Sequence, residues 1–171
     1  MKIIKNYKNI DKSDRGSVIA IGNFDGIHNG HKALISNIAE LSKTMGKKTG
    51  ICTFNPHPKN FFANGQAINQ ITSQELKYEI LEKLGIDILY EIEFNHELSR
   101  MSPDEFFNNI LIDGLGVSHV TVGSDFKFGH KRSGNSSYLR MQCEASGISF
   151  QSIEKQTDGN SQIYSSSSIR D

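Results

Sequence analysis

His28 and His31 stand three residues apart at the end of the run Ile19-Ala20-Ile21-Gly22-Asn23-Phe24-Asp25-Gly26-Ile27-His28-Asn29-Gly30-His31. Residues at i and i+3 share one face of a helix, and an apolar stretch that stops at a glycine-bearing loop before a helix leaves unpaired N–H groups and a positive dipole end at that place. The combination suits the handling of an anionic oxygen, a phosphate above all. Gly30, between the two rings, lets the backbone approach a ligand closely. The competing description is a surface pair or a metal-binding couple. Zinc is disfavoured, because the six histidines and two cysteines form no C-x-x-C and no compact cluster with the three or four ligands it needs.

Three further groups carry chemistry. In Pro56-His57-Pro58 each proline locks its own φ and pushes the residue before it toward extended backbone, so His57 is presented rigidly. A stiff turn without a ligand is the alternative. Arg132 sits in the polar stretch Phe128-Gly129-His130-Lys131-Arg132-Ser133-Gly134-Asn135, which is either a cationic loop that closes over phosphates or an ordinary solvated charge cluster. Arg170 follows Ser165-Ser166-Ser167-Ser168-Ile169, where hydroxyl and N–H groups can cap a helix and bind an anion beside a guanidinium. The same serines also read as a flexible linker.

These groups need a scaffold, and the hydropathy pattern supplies one. Strand-like runs at 17–22, 48–54, 86–94, 119–123 and 148–153 alternate with helical stretches, the pattern of a parallel sheet of about five strands in a Rossmann-like α/β fold. The first helix is expected over 30–42, with Ala33, Leu34, Ile38 and Leu41 inward and Lys32, Asn37 and Glu40 outward. Thr72-Ser73-Gln74-Glu75 announces a second helix with Leu76, Ile80, Leu81 and Leu84 as its apolar residues and Gly85 at its end. Ser102-Pro103-Asp104-Glu105 caps a third ahead of Phe106, Phe107, Ile110 and Leu111. In such a fold the site lies at the C-terminal ends of the strands.

Composition narrows the partners. With 171 residues, 36% of them hydrophobic, the chain fits one domain with a sizeable core. Nineteen basic residues balance nineteen acidic ones, so the global basic field of a nucleic-acid binder is missing, while a small anionic ligand remains open. Two distant cysteines, no signal-peptide pattern and no long apolar span predict a reducing cytoplasm and no membrane.

Four separated segments together resemble one family. Gly22 to His31 is similar to the G-x-F-D-G-x-H-x-G-H signature of bacterial FAD synthetases, within the H-x-G-H nucleotidyltransferase superfamily. Thr53-Phe54-Asn55-Pro56-His57-Pro58 with Phe61-Phe62 resembles the family's F-x-P-H-P-x-x-F segment. Gly123-Ser124-Asp125-Phe126-Lys127-Phe128-Gly129, with Arg132 and Gly134, resembles its G-x-D-F-x-F-G-x-x-R-x-G loop, and 165–170 its S-S-T-x-I-R motif with Ser167 in place of threonine. The P-H-P and D-F-x-F-G segments weigh against relatives acting on phosphopantetheine or glycerol phosphate.

The resemblance implies an FMN adenylyltransferase domain over 1–171, transferring AMP from ATP to FMN with release of pyrophosphate, in the presence of Mg²⁺ held mainly by ATP phosphates. It implies catalytic roles for His28, His31 and Arg170, and ATP binding by Gly22, Asn23, Phe24, Asp25, Gly30, Ser165, Ser166 and Ser167. FMN falls to Phe54, Asn55, Pro56, His57, Pro58, Phe62, Asp125 and Phe128, with Arg132 in a phosphate loop and Asp125 as an outer metal ligand. The family's riboflavin kinase domain has no counterpart here, and the chain stops at Asp171 just where the last motif opens a helix, as in a piece of a longer protein. A flavin- or nucleotide-binding module without turnover is the alternative.

Overall fold

The structure, a computed structural model, describes residues 1–64 and 66–155. Ser165, Ser166, Ser167 and Arg170 therefore lie outside the described residues.

Six parallel strands form the main sheet: β1 (Lys2–Ile4), β2 (Val18–Ile21), β3 (Thr49–Asn55), β4 (Ile88–Glu93), β5 (His119–Gly123) and, last in the chain, β8 (Ser149–Ile153), in the order β1-β4-β3-β2-β5-β8. A two-stranded antiparallel ribbon pairs β6 (Lys127–Phe128) with β7 (Gly134–Asn135). The five expected strands are all present, and β1 is an additional edge strand whose three residues are too few to form an apolar run.

The helices are α1 (Asn29–Met45), α2 (Pro58–Phe61), α3 (Gln74–Lys83), α4 (His96–Arg100), α5 (Pro103–Glu105) and α6 (Ser136–Ala145). The Ser102 to Glu105 capping box forms as expected, and α5 runs on as a π-helical segment, Phe106–Gly114, that buries Phe106, Phe107, Ile110 and Leu111.

Alternate residues of the central strands feed two cores, one on each face of the sheet. Val18, Ala20, Ile51 and Leu89 meet Leu34, Ile35 and Ile38 of α1 and Leu81 of α3. Ile19, Ile21, Ile88, Tyr90 and Ile92 meet the π-helical segment and Leu139 and Cys143 of α6. Two helix faces differ from the sequence expectation. Asn37 turns inward, its Oδ1 accepting from Thr121 and its Nδ2 donating to Gln151, each at 2.8 Å. In α3, Leu76 and Leu84 are exposed, and the inward face is Gln74, Lys77, Tyr78 and Leu81.

Gly50 marks the tightest approach in the sheet. A Cβ there would stand 2.8 Å from the Tyr90 ring and 3.0 Å from Ile19. Tyr90 cannot yield, because its hydroxyl donates to the Asp14 carbonyl at 2.6 Å and lies 2.8 Å from Ser17 Oγ. Gly50→Ala is expected to destabilise the fold by about 1–3 kcal/mol through overpacking, read by urea unfolding; an unchanged midpoint would show that the ring has room to move.

The chain winds from β2 through β3 to β4 on one side and then crosses to β5 on the other side of β2. That reversal opens a crevice at the strand ends beside β2, where open α/β sheets take ligands.

Candidate functional site

A cavity of about 1360 Å³ occupies this crevice and is lined from the ends of five strands, by Gly22, Phe54, Phe94, Gly123 and Ile153 among others. At one end stands the head of α1. His28 is the N-cap: its Nδ1 accepts from the Gly30 N–H at 3.1 Å. A nitrogen that accepts carries no proton, so the cap fixes the tautomer and leaves the ring proton on Nε2. Burial lowers the pKa of His28, which favours this neutral form.

His31 stacks on His28 with ring centroids 3.9 Å apart and packs on Phe24 at 4.8 Å. Burial first, then the neighbouring His28 and Lys77, press its pKa down to about 3, against an opposing pull from Asp25. His31 Nδ1 and Asn23 Oδ1 are buried with no hydrogen-bond partner among the described residues. Two such groups on one cavity wall are candidates for satisfaction by a ligand.

The folded protein binds fewer protons on His31 than an unfolded chain whose imidazole titrates at 6.5. The resulting stability is whole above about pH 6.5 and is lost as pH falls toward 3. Buried His119, held down at about 4, acts in the same direction. Urea-unfolding free energy is expected to be flat from pH 7 to 8 and to decline below 6.5, less steeply in His31→Gln. A pH-independent profile, or an identical slope in the variant, would contradict the neutral imidazole.

The loop after β2 departs from the expected roles. Gly22, Asn23, His28, Gly30 and His31 line the cavity, whereas Phe24 and Asp25 do not. Phe24 is fully buried, at φ 51°, and serves as the floor under His31. Asp25 is also buried; its Oδ1 accepts from the N–H of Ile71 at 2.8 Å and from the N–H and hydroxyl of Thr72 at 3.2 and 3.3 Å. It ties the loop to the start of α3.

The other end of the cavity is aromatic. Phe54 contacts Phe94 and Phe106, Phe62 contacts Phe94, and Phe106, Phe126 and Phe128 continue the wall, the last two stacked at 5.5 Å. Phe62 is 60% exposed and Phe128 is buried, so the two present different amounts of ring to a ligand. His57 and Pro58 line the cavity, while Asn55 and Pro56 do not; Asn55 opens instead on a smaller cleft beside Glu93 and Glu97. His57 caps α2 just as His28 caps α1, its Nδ1 accepting from the Lys59 N–H at 3.1 Å.

The rim is cationic. Lys59, Arg100, Lys127, Lys131, Arg132 and Lys155 line the cavity against only Asp125 and Glu154, in a chain of zero net charge. Such local concentration raises the potential felt by an anion. Arg132 is legible from its loop. Arg100 and Lys155 are not, because only the fold brings them to this rim. Asp125 faces the cavity and pairs with Lys155 at 3.1 Å. Among the described residues no three His, Cys, Asp or Glu side chains are grouped to hold a metal, and no helix is long and apolar enough to cross a membrane.

A family model described as FAD synthetase matches residues 10–167. The bifunctional riboflavin kinase/FMN adenylyltransferase of Buchnera aphidicola subsp. Schizaphis graminum (strain Sg) is 37% identical over 140 residues, 82% of this chain and 45% of that protein. The protein of the same name from Listeria monocytogenes is 35% identical over 159 residues, covering 92% and 50% of the two chains, and that from Escherichia coli (strain K12) 29% identical over 171 residues, covering 99% and 54%. The chain thus spans about half the length of the curated relatives it matches. Among solved structures, a Streptococcus pneumoniae chain described as a macrolide-efflux protein superposes with a TM-score of 0.82 at 24% identity, covering 98% of this chain and 54% of that one. Pantothenate synthetase from Thermus thermophilus gives 0.64 at 11% identity, over 99% and 67% of the two chains. At those identities the likeness bears on fold alone.

Proposed function

The chain belongs to the FAD synthetase family, and on that premise we propose that residues 1–171 act as an FMN adenylyltransferase, converting ATP and FMN to FAD and pyrophosphate. The observation that carries the reading is a single cavity joining the capped, two-histidine head of α1 to an aromatic wall under a cationic rim. Such a cavity matches a substrate pair in which one partner is a polyphosphate and the other a flat ring system ending in a phosphate.

A phosphate oxygen of FMN attacks the α-phosphorus of ATP, the bond from that phosphorus to the β-bridging oxygen breaks, and pyrophosphate leaves with the electron pair. FMN phosphate is already anionic at neutral pH, so no protein nucleophile is needed, and positioning with charge neutralisation supplies the catalysis. His28 offers its Nε2–H to the phosphate oxygens, and His31 stacks against it to hold the ring. The N–H groups at the head of α1 face the same charge. Arg132 and the neighbouring lysines draw in the second anion, with Phe54 and Phe128 against the flavin ring. Magnesium enters as MgATP, carried mainly by the ATP phosphates and waters. Arg170 and the serines at 165–167 retain the phosphate role that their motif implies.

The direct test is to incubate the 171-residue chain with ATP, FMN and Mg²⁺ and to separate the flavins while following pyrophosphate. FAD and pyrophosphate in equal amounts support the transferase. Binding of both ligands by calorimetry without product would replace it with a binding module.

A further inference from the structure

One turn of α3 carries a polar inward face that no motif accounts for. Glu91, 4% exposed at the middle of β4, accepts from Gln74 Nε2 at 2.8 Å and from the Tyr78 hydroxyl at 2.9 Å. Lys77 lies between these two on the same helical face, and its Nζ donates to the Asn23 carbonyl at 3.0 Å. The Thr53 hydroxyl donates to that same carbonyl at 3.1 Å from β3. In the opposite direction, Asp25 binds Ile71 and Thr72 ahead of α3, and the Gly26 N–H donates to Thr72 Oγ1 at 3.0 Å. Loop and helix thus hold each other at both ends. The ammonium is half-buried, and its desolvation lowers the pKa of Lys77 against a smaller opposing pull from Asp25 and Glu91. A buried lysine is costly unless paired and hydrogen-bonded. The contact it makes here is to the loop that bears Asn23, a residue of the cavity lining whose side-chain oxygen is buried with no hydrogen-bond partner among the described residues.

We propose that Lys77 is a positioning residue of the nucleotide end of the site, its ammonium locking the Asn23 carbonyl and through it the loop that faces the head of α1. This inference rests on the adenylyltransferase reading for the identity of the nucleotide. Lys77 reaches the site through Asn23 and contributes a second effect by its charge. The groups facing His31 are His28 on α1, Asp25 on the loop and Lys77 on α3, and the last of these opposes protonation of the ring.

The experiment compares Lys77→Met, which keeps an unbranched stem and removes the charge, with Lys77→Arg in the full chain. ATP and FMN binding are measured separately by calorimetry, and the His31 ring is followed by NMR titration. Lys77→Met is expected to weaken ATP binding about tenfold to a hundredfold, the loss of a charge-assisted hydrogen bond, while FMN affinity stays within about twofold. The His31 titration should move to higher pH, and Lys77→Arg should recover part of both effects. Unchanged ATP affinity in a folded Lys77→Met protein would overturn the proposal. Equal loss of both ligands, with no shift of the His31 titration, would also overturn it and leave a purely structural lysine. Wild-type chain that binds ATP but forms no FAD would refute the transferase reading and still leave the Lys77 effect measurable.

Discussion

His28→Asn should fold as stably as the natural chain and lose turnover by about 10²- to 10³-fold. The two halves of that expectation come from the two nitrogens of one ring. Nδ1 caps α1 by accepting from the Gly30 N–H, and asparagine is among the best N-cap residues, so its side-chain oxygen can take over that contact. Nε2–H has no counterpart on asparagine in that position, and removing one donor from a developing phosphate charge has an effect of this size. His28→Ala removes both functions and should cost about 1 kcal/mol of stability in addition. The double replacement His28→Ala/His31→Ala should lower turnover further, to about 10⁴-fold, while the fold persists. Steady-state kinetics with parallel urea unfolding separate these outcomes. Near-normal turnover in His28→Asn would confine that histidine to capping.

Asp25→Ala should be among the most damaging single changes in the chain, with a loss of about 3 kcal/mol or more. The carboxylate is 1% exposed and takes three hydrogen bonds from Ile71 and Thr72, so its removal strands buried donors. It also takes away a negative charge that favours the half-buried Lys77 ammonium. Asp25→Asn retains an acceptor oxygen and should cost distinctly less. Nucleotide binding should decline with the loop in Asp25→Ala, although Asp25 itself does not line the cavity. Equal and small effects of the two substitutions on urea unfolding would contradict the role of this residue as the tie between the first loop and α3.

That Asp25 acts from beneath the site shows how far its sequence can be read. The spacing of His28 and His31 after an apolar run locates the anion-handling end, because strand, loop and helix follow from local pattern alone. The same pattern cannot separate residues that face a ligand from those that support it. Phe24 and Asp25 belong to the segment and point into the protein, while Gly22 and Asn23 border the cavity. Five strands are legible as apolar runs, and β1 escapes because three residues carry too little period. The inward face of α3 departs from expectation for a related reason. Leu76 and Leu84 look like core on a helical wheel, yet the face that meets the sheet finds buried Glu91 there and answers it with Gln74, Lys77 and Tyr78. A polar partner on a distant strand leaves no trace in local hydropathy. The cationic rim is likewise a product of the fold, since Arg100 and Lys155 reach it from separate elements in a chain whose charges cancel overall.

The central claim is that this cavity directs attack at the α-phosphorus of ATP, and position-specific labelling tests it most directly. The chain is supplied with FMN, Mg²⁺ and ATP labelled at either the α- or the γ-phosphate, and the products are separated. The account predicts that the α-label appears in FAD and the γ-label in pyrophosphate, with none in orthophosphate. A γ-label recovered on a flavin, or ADP as the nucleotide product, would place the attack at the wrong phosphorus and contradict the assignment.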